Sequence, residues 1–202
     1  AVSVVEAASQ QLINQRWFPP PPPENDTQLV IIGSGELARE TAIAAVERRA
    51  GRGHTTWVDL WPTGPDDWCA DVRTRVDGGN VSVRVHSWAG SSLTLARAVV
   101  DTLKPSGTTA QVYIIGIDDS AAITLGRCFA RWVPSTRVVS VQDVAHHPDG
   151  PASGRAGGVH YITMAELLSQ PEMWDIDEQL GNELSTVLEV LVGLPGVEQR
   201  LD

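Results

Sequence analysis

Gly33-Ser34-Gly35 follow directly on an apolar run, Leu29-Val30-Ile31-Ile32, and lead into strong helix formers from Glu36 to Arg49. A strand, a glycine turn and a helix in that order make a device for holding phosphate. Gly33 allows the chain to reverse sharply off the strand, and Gly35 has no Cβ to keep a pyrophosphate away from the backbone. Ala38 stands where a third glycine is common, and its small side chain still lets helix and strand pack closely. The first-turn amides of the helix then face the phosphates, with the helix dipole favouring negative charge there.

A second β-rich run, Thr55-Thr56-Trp57-Val58, ends on an acid, Asp59. An acid about 20 residues beyond the glycines completes the pattern of a dinucleotide-binding unit. At the carboxyl end of that strand, Asp59 is expected to accept hydrogen bonds from a ribose. No Arg follows in Leu60-Trp61-Pro62-Thr63, so a 2′-phosphate would meet an anion without a cation, and NAD or an adenine nucleotide (ATP or ADP) is favoured over NADP.

The elements that must position these residues follow from periodicity. Val81 to His86 alternates apolar and polar and reads as an edge strand. Gln111 to Gly116 is apolar almost throughout and reads as central, as does the strand before Gly33. Arg137 to Val141 and Val159 to Ile162 supply two more strands. Helices are expected around Trp68 to Val76, from Ser91 or Ser92 to Leu103, from Asp118-Asp119 to Trp132, and from Thr163 to Leu168. The resulting fold class is α/β, a doubly wound parallel sheet of Rossmann type with strand order 3-2-1-4-5-6. Residues 1–27 read as a short amphipathic helix and a polyproline linker, 28–165 as the nucleotide-binding domain, and 166–202 as a helical C-terminal extension. The N-terminal stripe of Val2, Val5, Ala8, Leu12 and Ile13 needs a surface, either on the domain or on a second copy. His146 to Gly158 reads as a loop.

Composition narrows the partners. A net charge of −10, with Lys104 as the single lysine, makes a poor ligand for phosphate backbones, which argues against nucleic acid. No apolar run approaches the roughly 20 residues of a membrane span, so direct insertion of this chain is not expected. Cys69 and Cys128 lie far apart without metal-ligand spacing and read as reduced thiols in a cytoplasmic protein.

The segment VYIIGIDDSAAITLGRCFARWVPSTRVVSVQ, residues 112–142, together with VIIGSGELARE, resembles the TrkA-N domains, the N-terminal lobes of regulators of K⁺ conductance (RCK). The resemblance covers about residues 28–142. It implies a module at the cytosolic face of a membrane that binds NAD(H), ATP or ADP, pairs as a homodimer and controls an ion channel or transporter subunit. Carried over by position, Gly33, Ser34, Gly35, Glu36 and Leu37 match the phosphate turn and Asp59 the ribose acid, with Leu60 and Trp61 beside it. Gly116, Ile117, Asp118 and Asp119 match the loop that closes on the nucleotide. His86 and Ser87 stand where the family often has Gly-Asp, a departure on the adenine side.

Other chemistry has less support. Tyr161 is followed four places later by Ala165, not by the lysine of a short-chain dehydrogenase, and no P-loop, nucleophile elbow or zinc-protease helix occurs. No residue is singled out as catalytic or as a metal ligand. His146-His147 with Asp149 reads as loop, and the acids at 118 and 119 suit a helix start as well as a divalent ion. Trp57, Trp61, Trp68 and Trp88 could cluster beside the pocket and Trp61 could stack on adenine, with core packing as the alternative. The readings to be weighed are therefore a nucleotide-responsive regulatory domain, an NAD-dependent oxidoreductase, and a Rossmann scaffold with an empty pocket that serves protein interaction.

Overall fold

The computed structural model describes residues 3–13, 26–49, 55–64, 67–75, 80–103, 108–142, 154–156 and 158–168. The polyproline run, the His146-His147 segment and the expected C-terminal helix lie outside them. Strands β1 (Asp26–Gly33), β2 (Thr56–Pro62), β3 (Val81–Val85), β4 (Thr108–Ile115), β5 (Arg137–Gln142) and β7 (Val159–Thr163) pair in parallel in the order β3-β2-β1-β4-β5-β7. The parallel sheet is the expected doubly wound one, with the continuous apolar strands at its centre and β3 at its rim. One element departs from the reading. Part of the segment taken as loop forms a short strand, β6 (Gly154–Ala156), antiparallel to β7 at the other rim. Three residues are too few for an alternating pattern to reveal a strand.

Each central strand feeds two layers. Leu29 and Ile31 of β1, Val58 and Leu60 of β2, and Tyr113 and Ile115 of β4 pack into one buried cluster, with helices α1 (Val4–Ile13), α2 (Gly35–Arg49), α3 (Trp68–Thr74) and α6 (Met164–Leu168). Val30, Ile32, Val112 and Ile114 point the other way, onto α4 (Ser92–Thr102) and α5 (Asp119–Trp132). The two-residue period of a strand makes this division unavoidable.

Helix α2 shows why the N-terminal segment belongs here. Five consecutive residues, Ala42 to Val46, are all buried, which a helix covered on one face only cannot achieve. The sheet lies on one side and α1 on another, with Ala7, Ala8, Leu12 and Ile13 of α1 in the same cluster. The apolar stripe of α1 therefore finds its surface within the domain. Small alanines on α2 let both neighbours come close. At the other end, Thr163 and Glu166 form a reciprocal cap for α6: the Thr163 amide donates to the Glu166 carboxylate at 2.8 Å, and the Glu166 amide to Thr163 Oγ1 at 3.1 Å.

The carboxyl ends of β1 and β4 come closer than any side chain would permit. A Cβ on Gly33 would stand 1.8 Å from the Ile115 carbonyl oxygen, whereas one on Gly35, at φ +79°, would meet nothing within 4 Å. Gly33→Ala is expected to destabilise the fold by about 3 kcal/mol or more, the upper range for forced overpacking. Gly35→Ala should cost only about 1 kcal/mol, from the left-handed backbone alone. Urea denaturation of the two variants checks the order, and equal losses would contradict the close approach.

Candidate functional site

The mouth of the sheet opens where β1 and β4 diverge toward crossovers on opposite faces, the place where open α/β sheets accept ligands. There the Ser34 amide donates to the Ile115 carbonyl at 3.2 Å, and Ser34 Oγ donates to the Gly116 carbonyl at 2.6 Å. Gly116 has φ +64°, and a Cβ there would fall 2.4 Å from the Ser34 carbonyl oxygen, so both the backbone conformation and the close approach require glycine. The Thr63 amide donates to the Gly33 carbonyl at 2.9 Å, so the tip of β2 is tied to the same turn.

Beside these ties lies a groove of about 300 Å³, open to solvent. Ser34, Thr63 and Ser92 bring hydroxyls to it, Asp118 a carboxylate, and Trp88, Leu95, Ile117, Ala121 and Leu125 an apolar wall. Sequence reasoning anticipated Ser34, Gly116, Ile117 and Asp118. Trp88 lines the groove as one of the four tryptophans expected beside the pocket, whereas Thr63, Ser92, Leu95, Ala121 and Leu125 were missed. One signal was available for Ser92: helices that follow parallel strands begin at the sheet's carboxyl edge, so the starts of α4 and α5 had to face the same crevice.

Three helix starts meet at this edge, and two of them are capped from within. Ser91 Oγ accepts from the Thr94 amide at 3.4 Å. Asp118 accepts from the Ser120 and Ala121 amides at 2.7 and 3.2 Å. Hydrogen bonding from the Ser120 side chain, then from the Ala121 and Ser120 amides, holds the Asp118 carboxyl below the usual carboxylate range, so it is ionised at neutral pH. At α2 the Ser34 hydroxyl is turned toward Gly116, and Gly35 and Glu36 stand exposed at the helix start. Leu37 faces inward against the α2-side cluster. Ser87 is exposed beyond β3, and Asp119 opens α5 without lining the groove.

Asp59 is placed differently from the expectation. Strand β2 runs on through Leu60 and Trp61 to Pro62, with Pro62 opposite Gly33, so the strand's tip lies at Pro62-Thr63 and Asp59 sits opposite Val30, inside the sheet. The apolar continuation Leu60-Trp61 is what extends the strand past the acid. Its side chain is fully buried and cannot meet a ribose without breaking what it already holds. Asp59 Oδ2 accepts from Gln28 Nε2 at 2.7 Å and from Arg84, while Oδ1 lies 2.7 Å from His86 Nε2. The register explains the grouping, since Asp59 pairs with Arg84 across the β2–β3 ladder and all these side chains fall on the α4 face. Gln28 Nε2 also reaches the Thr102 carbonyl at the end of α4, at 3.1 Å. With an acceptor-only carboxylate opposite it, His86 Nε2 carries the hydrogen.

Trp61 and His86 likewise serve this interior cluster. Their rings stack with centroids 4.4 Å apart and 7° between planes, and Trp61 is buried in the α4/α5-side core. Leu60 is buried in the opposite layer. Among the described residues no group of three or more His, Cys, Asp or Glu side chains could hold a metal ion, and no helix is long and apolar enough to cross a membrane.

Removing Asp59 leaves Gln28, Arg84 and His86 without their shared acceptor. Arg84 is 33 % exposed, so water screens part of the loss. Asp59→Ala is expected to cost about 2–3 kcal/mol, below the range for a fully buried pair. Chemical denaturation measures it, and a loss under about 1 kcal/mol would contradict the network. No family model, curated protein or solved structure matches the chain.

Proposed function

We propose that this chain is a nucleotide-responsive regulatory domain, with an adenine nucleotide, NAD or ATP/ADP, seated at the diverging ends of β1 and β4. The observation that carries the reading is the meeting of an open groove with a glycine turn whose Ser34 hydroxyl is turned toward Gly116: Ser34 lines the groove, and the next residue, Gly35, is exposed with free space where a side chain would stand. Amides at a helix start attract anions, and the fold places them at the switch point. The RCK/TrkA-N resemblance of residues 28–142 supports the regulatory role and adds its partners, a second copy of the chain and an ion channel or transporter subunit.

The ligand works by shifting a population. A nucleotide bridging the Gly33–Gly35 turn and the Gly116–Asp118 loop favours the arrangement in which those two loops are drawn together, and a partner reads that arrangement. No hydride acceptor or general base is required. The interior commitment of Asp59 favours a second reading, the scaffold with an empty pocket, because the acid that usually grips a ribose is spent on the fold.

Calorimetric titration with NAD⁺, NADH, ATP and ADP separates the two readings. The regulatory reading expects saturable binding below millimolar concentration without turnover. Ala121→Phe, on a partly exposed face of α5, fills the groove and should weaken binding at least tenfold while leaving the unfolding transition in place. Absence of binding by all four nucleotides sinks the proposal.

A further inference from the structure

From the lining of the groove we infer that affinity comes chiefly from the nucleoside part of its ligand, a flat ring bearing hydroxyls, while the phosphates, left at the exposed helix start, add little. The inference rests on the nucleotide reading above and narrows it. Its first support is size: about 300 Å³ is the lower end for small-molecule pockets and matches a single ring system with a sugar better than a dinucleotide. Its second is chemistry. The wall offers the partly buried Trp88 ring and Ile117, backed by buried Leu95 and Leu125, as an apolar surface for a base, and Thr63 and Ser92 as hydroxyl-bearing residues for a sugar.

Charge is the third support. Among the described residues no Arg, Lys or His lines the groove, while the Asp118 carboxylate does. A triphosphate near that carboxylate is repelled, in a chain whose net charge is already −10. The turn itself also withholds donors. The Ser34 amide and hydroxyl are both given to the end of β4 and its loop, at Ile115 and Gly116. Only the helix start at Gly35 remains, exposed to water, where an ion pair or dipole contact is screened. Asp59 adds no ribose anchor on the β2 side, so the extended adenosine end of a dinucleotide finds no partner there.

The test compares adenosine, ATP and NAD⁺ against the full 202-residue chain by calorimetry at 0.15 M salt. Adenosine is expected to bind at least as tightly as ATP or NAD⁺. Asp118→Asn keeps an oxygen to cap α5 but removes the charge, and it should improve ATP relative to adenosine by threefold or more. Tighter binding of ATP or NAD⁺ than of adenosine overturns the inference and leaves the nucleotide reading intact. An unchanged ATP-to-adenosine ratio in Asp118→Asn also counts against it. Adenosine binding with ATP and NAD⁺ excluded removes the nucleotide reading and, with it, the inference that narrows it, and silence from all three ligands ends both.

Discussion

Two peptide units that touch without side chains between them govern this molecule. Because Gly33 presents no Cβ to the Ile115 carbonyl, and Gly116 none to Ser34, the ends of β1 and β4 lie against each other and share hydrogen bonds. Those contacts set the position of Ser34, Ile117 and Asp118, and with them the depth of the groove. Both strands are buried without a break over the residues that lead to the contact, Thr27 to Gly33 and Gln111 to Ile115, so it is backed by apolar layers on both faces. A loop pair held this way has little freedom except outward from the sheet, which is the motion a bound ligand would oppose.

The second constraint is a buried charge. A carboxylate removed from water needs partners within the protein, and Asp59 finds three, Gln28 from β1 with Arg84 and His86 from β3 and its end. The network binds β1, β2 and the rim strand β3 together and anchors the end of α4 through Gln28. It gives the short rim strand an attachment that its five residues of ladder alone would supply weakly. The same side chains that would serve a nucleotide in the pattern read from sequence thus serve the sheet, and whatever the groove binds is held from the β1–β4 side.

The architecture was legible because its signals are long-range averages. Continuous apolar runs at 29–32 and 112–115, alternation at 81–85, and breakers between them leave few other ways to order the strands. The glycine turn was legible too, since only glycine fits at position 33. The acid was misplaced for a local reason. Where a strand ends depends on pairing, and Leu60-Trp61-Pro62 continue to pair with Ile31-Ile32-Gly33 past the residue that composition alone would take as the tip. Leu95 and Leu125 were invisible for another reason: each is buried as ordinary core, and only the three-dimensional packing shows that the groove lies against them. β6 lay below the length at which a pattern exists.

What joins these points is the proposed location of the ligand, at the tied ends of β1 and β4 and away from Asp59. Backbone amide shifts in a ¹H–¹⁵N spectrum, recorded as AMP is added to saturation, locate it residue by residue. The account predicts movement at Ser34, Gly35, Thr63, Gly116 and Ile117, with Asp59 and Arg84 still. Shifts centred on Asp59, Arg84 and His86, or a spectrum that does not change, would contradict it.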